Sequence, residues 1–331
     1  MRSTPDKFDG DGDPLLAVSD LSIGYPTEHG EVAALRGVSL DVVRGECLGV
    51  VGESGSGKTQ LLLATLGLLS GGAQARGSIR FRGQELLHRP ARELDRVRGR
   101  HVAMVFQDPL TALNPYVRVG IQITEGLQAH QRISRADAKR RAVALLESLR
   151  MTDAAGRMRQ YPHELSGGMR QRIVIAMALI NEPDLLLADE PTTALDVTVQ
   201  AQILSVFAQL RARTGTAILL VTHDLGVIAR LADRVVVMYA GRVVEQADVQ
   251  VLFERPMHPY TEGLILATPR LDEALPARLA TISGTPPSAS APVTGCAFAA
   301  RCRYRMPVCE SSTPELLERD AGHWVACHRN S

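Results

Sequence analysis

Gly52-Glu53-Ser54-Gly55-Ser56-Gly57-Lys58-Thr59 carries the spacing G-x-x-x-x-G-K-[ST]. Its glycines let successive backbone N–H groups curl around one centre, and a helix opening at Lys58 adds partial positive charge; a polyphosphate is the ligand that fits. Lys58 is expected to reach the β- and γ-phosphates, and the Thr59 hydroxyl to ligate Mg²⁺. A glycine- and serine-rich loop can also simply turn a chain, but here an apolar strand precedes it and a helix follows. The apolar run Leu185-Leu186-Leu187-Ala188 ends in Asp189 and Glu190. Asp189 is expected to hold Mg²⁺ and Glu190 to polarise the attacking water as general base. Pro191 helps to end that strand. Leu165-Ser166-Gly167-Gly168-Met169-Arg170-Gln171-Arg172 offers a second anion-binding helix start, with the Ser166 hydroxyl and glycine N–H groups as donors. One triphosphate does not need two such ends on one chain, so this one is expected to cover the γ-phosphate held by a partner subunit.

These groups need a rigid frame, and the patterning supplies one. Apolar/polar alternation from Leu15 and again through residues 32–43 predicts strands of a mostly antiparallel layer. Residues 46–51 and 185–188 read as short buried strands, 217–221 and 233–238 as further ones. Helices are expected over 58–69, over 134–151 with Ser134 as N-cap, over 166–180 and over 200–213. Strands alternating with helices imply a parallel sheet and an α/β core. After residue 246 the composition shifts: nine of the 18 prolines and four of the five cysteines fall there, so a largely irregular C-terminal extension is expected. Residues 1–13 read as a loose tail.

The 331 residues suggest about two domains. The 37 basic and 36 acidic residues nearly cancel, which argues against a broad nucleic-acid-binding surface or an acidic disordered chain. The longest wholly apolar run, residues 173–180, is far too short to cross a bilayer, and the acidic N-terminus does not read as a signal peptide. A cytosolic protein is expected, held at a membrane, if at all, by something else. Only Lys7, Lys58 and Lys139 are lysines; the lysine kept in the glycine loop points to a compact point charge rather than a guanidinium fork. Cys296, Cys302, Cys309 and Cys327 crowd the extension as C-x₅-C-x₆-C-x₁₇-C, while Cys47 stands alone. In a reducing compartment such a set points to a metal or an iron–sulfur centre before disulfides. Four thiolates match either a tetrahedral zinc or a [4Fe–4S] cube, and the spacing selects neither. Arg301, Arg303 and Arg305 are expected to offset a cluster's charge, and His323 and His328 are further candidate ligands.

Taken together, these motifs resemble the ATPase subunits of ATP-binding-cassette transporters, from about residue 15 to the end of the sequence. Residues 165–172 resemble the family signature, with Met169 in place of the commoner Gln. Gln107 resembles the Q-loop residue that senses Mg²⁺, Thr193-Ala194-Leu195-Asp196 the D-loop, and His223 the switch histidine at the γ-phosphate. Tyr25 is the candidate for the aromatic that stacks on adenine. The resemblance implies a P-loop NTPase (RecA-like) α/β cassette over 14–245, with an antiparallel β layer, a helical signature subdomain at about 108–178, and a Pro/Cys-rich extension over 246–331. It implies a nucleotide site of Tyr25, the loop Gly52 to Thr59, Gln60 and Gln107, with Mg²⁺ at Thr59, Gln107 and Asp189. Long coiled-coil insertions or a second cassette would suggest a soluble DNA-repair or translation ATPase, and neither is seen in this sequence.

Residues 107–120, 165–172, 188–203 and His258-Pro259-Tyr260 resemble the oligopeptide/dipeptide importers more narrowly, as does Thr268-Pro269-Arg270-Leu271. That branch implies ATP-driven peptide import with a second ATPase, usually a non-identical sister, two membrane permeases and an extracytoplasmic peptide-binding protein, on the cytoplasmic face of a bacterial membrane. Nickel, glutathione or modified peptides are the alternative cargoes. Some members carry a [4Fe–4S] cluster at cysteines resembling Cys296, Cys302, Cys309 and Cys327, which favours the cluster over zinc.

Overall fold

The structure, a computed structural model, describes residues 13–28, 30–193, 195–268, 281–288, 290 and 294–330. Most of the expected tail, Ala194 of the D-loop stretch and residues 269–271 lie outside the described residues.

The alternation after Leu15 folds as strand Leu16–Thr27, which buries Leu16, Val18, Leu21 and Ile23 and pairs antiparallel with Gly30–Val42. Gln74–Phe81 lies on its other side, followed by the short Gln84–Glu85. The strand Gln74–Phe81 holds few apolar residues, so its pairing with Leu16–Thr27 rather than its own pattern makes it a strand.

A second sheet, of eight strands, forms the centre. Cys47–Val51, Leu185–Asp189 and Ala217–Val221 are buried at every position, as parallel strands covered on both faces must be. The parallel part runs Arg234–Tyr239, Cys47–Val51, Ala217–Val221, Leu185–Asp189, Val102–Val105. Because Ala217–Val221 lies between the other two buried strands and runs the same way, three carboxyl ends meet on one side. Gly52 and Glu190 directly follow two of these strands and His223 lies two residues beyond the third, which is where an α/β sheet presents its ligand site. Between the sheet strands, helices Val119–His130, Arg135–Ser148 and Gly167–Leu179 pack on one another. Ser134 caps the second of these, its hydroxyl accepting the Asp137 N–H at 3.1 Å.

The extension is less irregular than its prolines imply. Residue 246 lies inside strand Arg242–Asp248, which pairs with Arg234–Tyr239 on one side and with His323–Val325 on the other; Leu317–Asp320 completes the sheet. No local pattern in the sequence reports a partner so far along the chain. The junction is organised by Glu245, which is fully buried. Its carboxylate accepts the N–H groups of Met257 at 2.6 Å and His258 at 3.0 Å, and pairs with His323 Nε2 at 2.7 Å. This fixes the start of helix Pro259–Ala267, where Pro259 occupies the first turn and His258 Nδ1 accepts the Tyr260 N–H at 3.1 Å.

Burial also pushes the His258 imidazole down to about 3, from an ordinary 6.5. Between those values the unfolded chain binds a proton that the native state does not, so this residue's contribution makes stability rise with pH and fall away as pH drops from 6.5 toward 3. His258→Asn, which keeps a side-chain acceptor for the cap, is expected to flatten that acid limb in thermal melts. A limb of unchanged slope would contradict this assignment.

Candidate nucleotide site

The loop after Cys47–Val51 leads into helix Lys58–Thr65, shorter than the expected 58–69. Gly57 forms the N-cap at φ +97°, and a Cβ there would lie 2.5 Å from the Ala34 carbonyl oxygen. At Gly52 a Cβ would come within 2.2 Å of the Met238 carbonyl oxygen. These two glycines are therefore required by close backbone approach. Lys58 is buried, and its ammonium donates to the Gly52 carbonyl at 2.7 Å, the Glu53 carbonyl at 3.0 Å and Ser56 Oγ at 3.3 Å. Desolvation holds its pKa below the usual lysine range, partly opposed by Glu190, Asp189 and Glu53. The cation thus sits folded against the rim of the loop, within the field of three carboxylates.

The nearby Thr59 hydroxyl favours the ionised form of Asp189 at the end of its strand, and Asp189 Oδ1 is buried with no partner. Burial keeps this carboxyl above the ordinary aspartate range. An orphaned carboxylate oxygen beside a hydroxyl is an unmet demand for a cation, and it fits Mg²⁺ with Thr59 and Asp189 as its protein ligands. Gln107, expected at the same ion, makes its contact elsewhere: its Nε2 faces Glu190 Oε2 at 3.4 Å.

Glu190 adopts φ +45°, a left-handed backbone uncommon for a non-glycine, and its N–H donates to the Val221 carbonyl at 2.8 Å. Its Oε1 lies 3.1 Å from His223 Nδ1, and Oε2 accepts the Thr193 hydroxyl at 2.9 Å. Burial pushes this carboxyl up, but hydrogen bonds from His223 and Thr193 and the charges of His223 and Lys58 bring it below the usual glutamate range. It is therefore held ionised and aimed. Thr193 went unrecognised as a partner of the base from sequence; its position three residues after Glu190 was the available signal.

Ser166 caps helix Gly167–Leu179, its Oγ facing the Met169 N–H at 3.4 Å. Ser166 and Gly167 are exposed, and a Cβ on Gly167 would meet nothing within 4 Å. This anion-binding end is open to an incoming surface. Asp196, assigned to the D-loop, caps helix Val197–Thr214 by accepting the Val199 N–H at 2.9 Å. Tyr25 is half-buried beside the same site, its hydroxyl 2.5 Å from Gln60 Oε1. Gln60 is thereby tied to Tyr25 in this structure.

No disulfide joins the four extension cysteines, and they lie within electrostatic reach of one another. Burial raises the Cys296 thiol to about 11 and also raises those of Cys302 and Cys327, with neighbouring thiols adding to each effect. Among the described residues, no three histidines, cysteines, aspartates or glutamates are grouped as they would be around a metal ion. The arginines expected to offset a cluster already have carboxylate partners: Arg301 on Glu53, Arg303 on Glu262 and Arg305 on Glu310. The candidate histidines are also engaged, His323 by Glu245 and His328 by the Ser312 carbonyl. Sequence alone could not see these partners, which come from other turns and elements.

A phosphate loop, a Mg²⁺-ready aspartate and an oriented glutamate–histidine pair on three adjacent strand ends define a nucleotide-binding cassette. The ABC transporter family matches residues 35–193, and the oligopeptide/dipeptide transporter C-terminal region matches residues 244–309. The chain is 47% identical to the oligopeptide transport ATP-binding protein OppD of Escherichia coli (strain K12), covering 96% of this chain and 94% of that protein. It is equally 47% identical to the dipeptide transport ATP-binding protein DppD of Bacillus subtilis (strain 168), over 95% and 94%. For OppD of Mycobacterium tuberculosis the identity is 50% over 96% of this chain, which spans about half of that relative, 52% of its length. Among solved structures, a dimeric ATP-binding cassette in a post-hydrolysis state bound to ADP and Pi matches with a TM-score of 0.66 and 26% identity, covering 71% of this chain and 99% of that one. The chain belongs to the ABC transporter family and carries the C-terminal region of its oligopeptide/dipeptide branch. Among the described residues, no helix is long and apolar enough to cross a membrane.

Proposed function

We propose that this chain is the ATP-hydrolysing subunit of a peptide importer, pairing with a second cassette, working beneath two permease subunits and receiving its cargo from an extracytoplasmic peptide-binding protein. The observation that carries the reading is the oriented Glu190, bonded to His223 and Thr193 beside a phosphate loop. In this reading Lys58 and the loop N–H groups hold the phosphates, Thr59 and Asp189 hold Mg²⁺ with Gln107 adjusting to it, Tyr25 stacks on adenine, and Glu190 polarises the water. Ser166 to Met169 and Asp196 of the partner close the site from outside. Mg²⁺ supplies charge neutralisation at the β- and γ-phosphates. Peptide cargo is favoured over nickel or glutathione by the relatives' names, oligopeptide and dipeptide transport proteins.

Coupling to the permeases is assigned to the segment after Gln107. Leu110, Tyr116 and Ile121 are exposed large apolar residues, Tyr116 at 88%, clustered within one short stretch. A cysteine at Tyr116 is expected to crosslink to a permease subunit in the assembled transporter, with ATP turnover stimulated by peptide-loaded binding protein. Crosslinks only between cassettes, or turnover indifferent to peptide, would overturn the assignment.

We also propose that Cys296, Cys302, Cys309 and Cys327 hold a [4Fe–4S] cluster. The Tyr304 N–H donates to Cys302 Sγ at 3.3 Å, and the Phe298 and Arg329 N–H groups favour the ionised forms of Cys296 and Cys327, a pattern that tunes iron–thiolate clusters. Protein purified without oxygen is expected to be brown and to carry about four irons per chain. A colourless preparation with one zinc per chain decides for the alternative.

A further inference from the structure

Arg301 lies in the extension, directly before Cys302, yet its guanidinium reaches the phosphate loop. Nη1 and Nη2 donate to the two carboxylate oxygens of Glu53 at 2.7 and 2.9 Å. The side chain is only 5% exposed and sits near the ring faces of Tyr239 and Phe298, 5.8 Å from each centre. Further N–H groups donate to the Ser283 carbonyl at 3.0 Å and to Tyr239 Oη at 3.3 Å. A charge this buried is costly unless paired, and here one fork is matched to one carboxylate.

Glu53 follows Gly52 directly, and its charge is felt at the Lys58 ammonium. A free carboxylate at that position opposes the binding of a polyphosphate by like-charge repulsion. Tyr260 Oη also accepts the Glu53 N–H at 2.7 Å, so the extension holds this residue by backbone and side chain together. The geometry points to Arg301 as a positioning residue for nucleotide binding: the C-terminal extension supplies the counter-charge that makes Glu53 compatible with a bound triphosphate. The inference deepens the reading of the loop as an ATP site and needs neither the iron nor the peptide assignment.

The test is titration calorimetry on the intact chain, purified without oxygen so that any bound metal is retained, with Mg-ATP and adenosine as probes. Arg301→Gln keeps size but not charge, and should weaken ATP binding about tenfold while adenosine stays within about threefold of wild type. Adding Glu53→Gln to the same chain removes the carboxylate and should bring ATP affinity back to within about threefold of wild type, a rescue that a merely structural role would not give. In the assembled transporter, Arg301→Gln should raise the KM for ATP and leave kcat within about threefold. If Arg301→Gln does not fold, Arg301→Lys carries the test: it keeps the cation and should hold ATP within about threefold, and a tenfold loss there overturns the proposal. Wild-type affinity in Arg301→Gln, equal losses for ATP and adenosine, or a double variant as weak as the single one also overturns it. Wild-type protein that binds no ATP would instead sink the proposed function, and this inference with it.

Discussion

Glu190→Gln is expected to bind Mg-ATP as tightly as the native chain, accumulate ATP-bound cassette dimers and lose turnover by about 10² or more. The amide preserves shape and can keep the contact with Thr193, but it has no negative charge with which to polarise water. The structure adds two reasons for a large effect. The carboxylate is held ionised below its ordinary range by His223, Thr193 and the Lys58 charge, so its charge is present throughout the neutral range. Its backbone is also held at φ +45°, a conformation that fixes the direction in which its side chain leaves the strand end. Measuring phosphate release and dimer content by size exclusion in ATP decides the matter; near-normal release in the variant would remove Glu190 from the role of base.

Glu245→Ala should destabilise the fold by about 3–5 kcal/mol, through loss of one buried carboxylate and exposure of three unmet donors. The donors are the N–H groups of Met257 and His258 and the ring of His323, all oriented on Glu245 at the seam between cassette and extension. The loss should appear as a lowered urea midpoint. Because Tyr260 sits two residues beyond His258 and bonds the Glu53 N–H, weaker ATP binding should accompany it. An unfolding free energy within about 0.5 kcal/mol of wild type, the usual range for surface substitutions, would show that the seam does not depend on this residue.

The nucleotide site was legible because its chemistry is local. A glycine loop between strand and helix, an Asp-Glu pair at a strand end and a Ser-Gly-Gly helix start each fit within eight residues, and the structure places each on the element expected. Four of the five parallel strands were legible from their unbroken apolar runs; Val102–Val105, just as apolar but only four residues long, was missed. What escaped was everything set by distant pairing. Gln74–Phe81 is a strand because Leu16–Thr27 lies beside it; His323–Val325 joins the sheet through Arg242–Asp248. The three arginines of the extension, expected from sequence to offset a cluster's charge, are each committed to one carboxylate. His258-Pro259-Tyr260 marked a branch of the family in sequence, but that Tyr260 touches the phosphate loop could only come from packing.

The arrangement around Glu245 has a consequence for how the chain is made. Two of its donors are synthesised within 13 residues of it, but His323 emerges 78 residues later. At about 5–20 residues per second on a ribosome, that gap lasts about 4–16 seconds. Through that interval the strand Arg242–Asp248 has no neighbour on one flank, and its carboxylate lacks one of its partners. The nascent cassette can therefore form its central sheet early but remains open along one side, and any helper that shields hydrogen-bonding strands during translation has its window there.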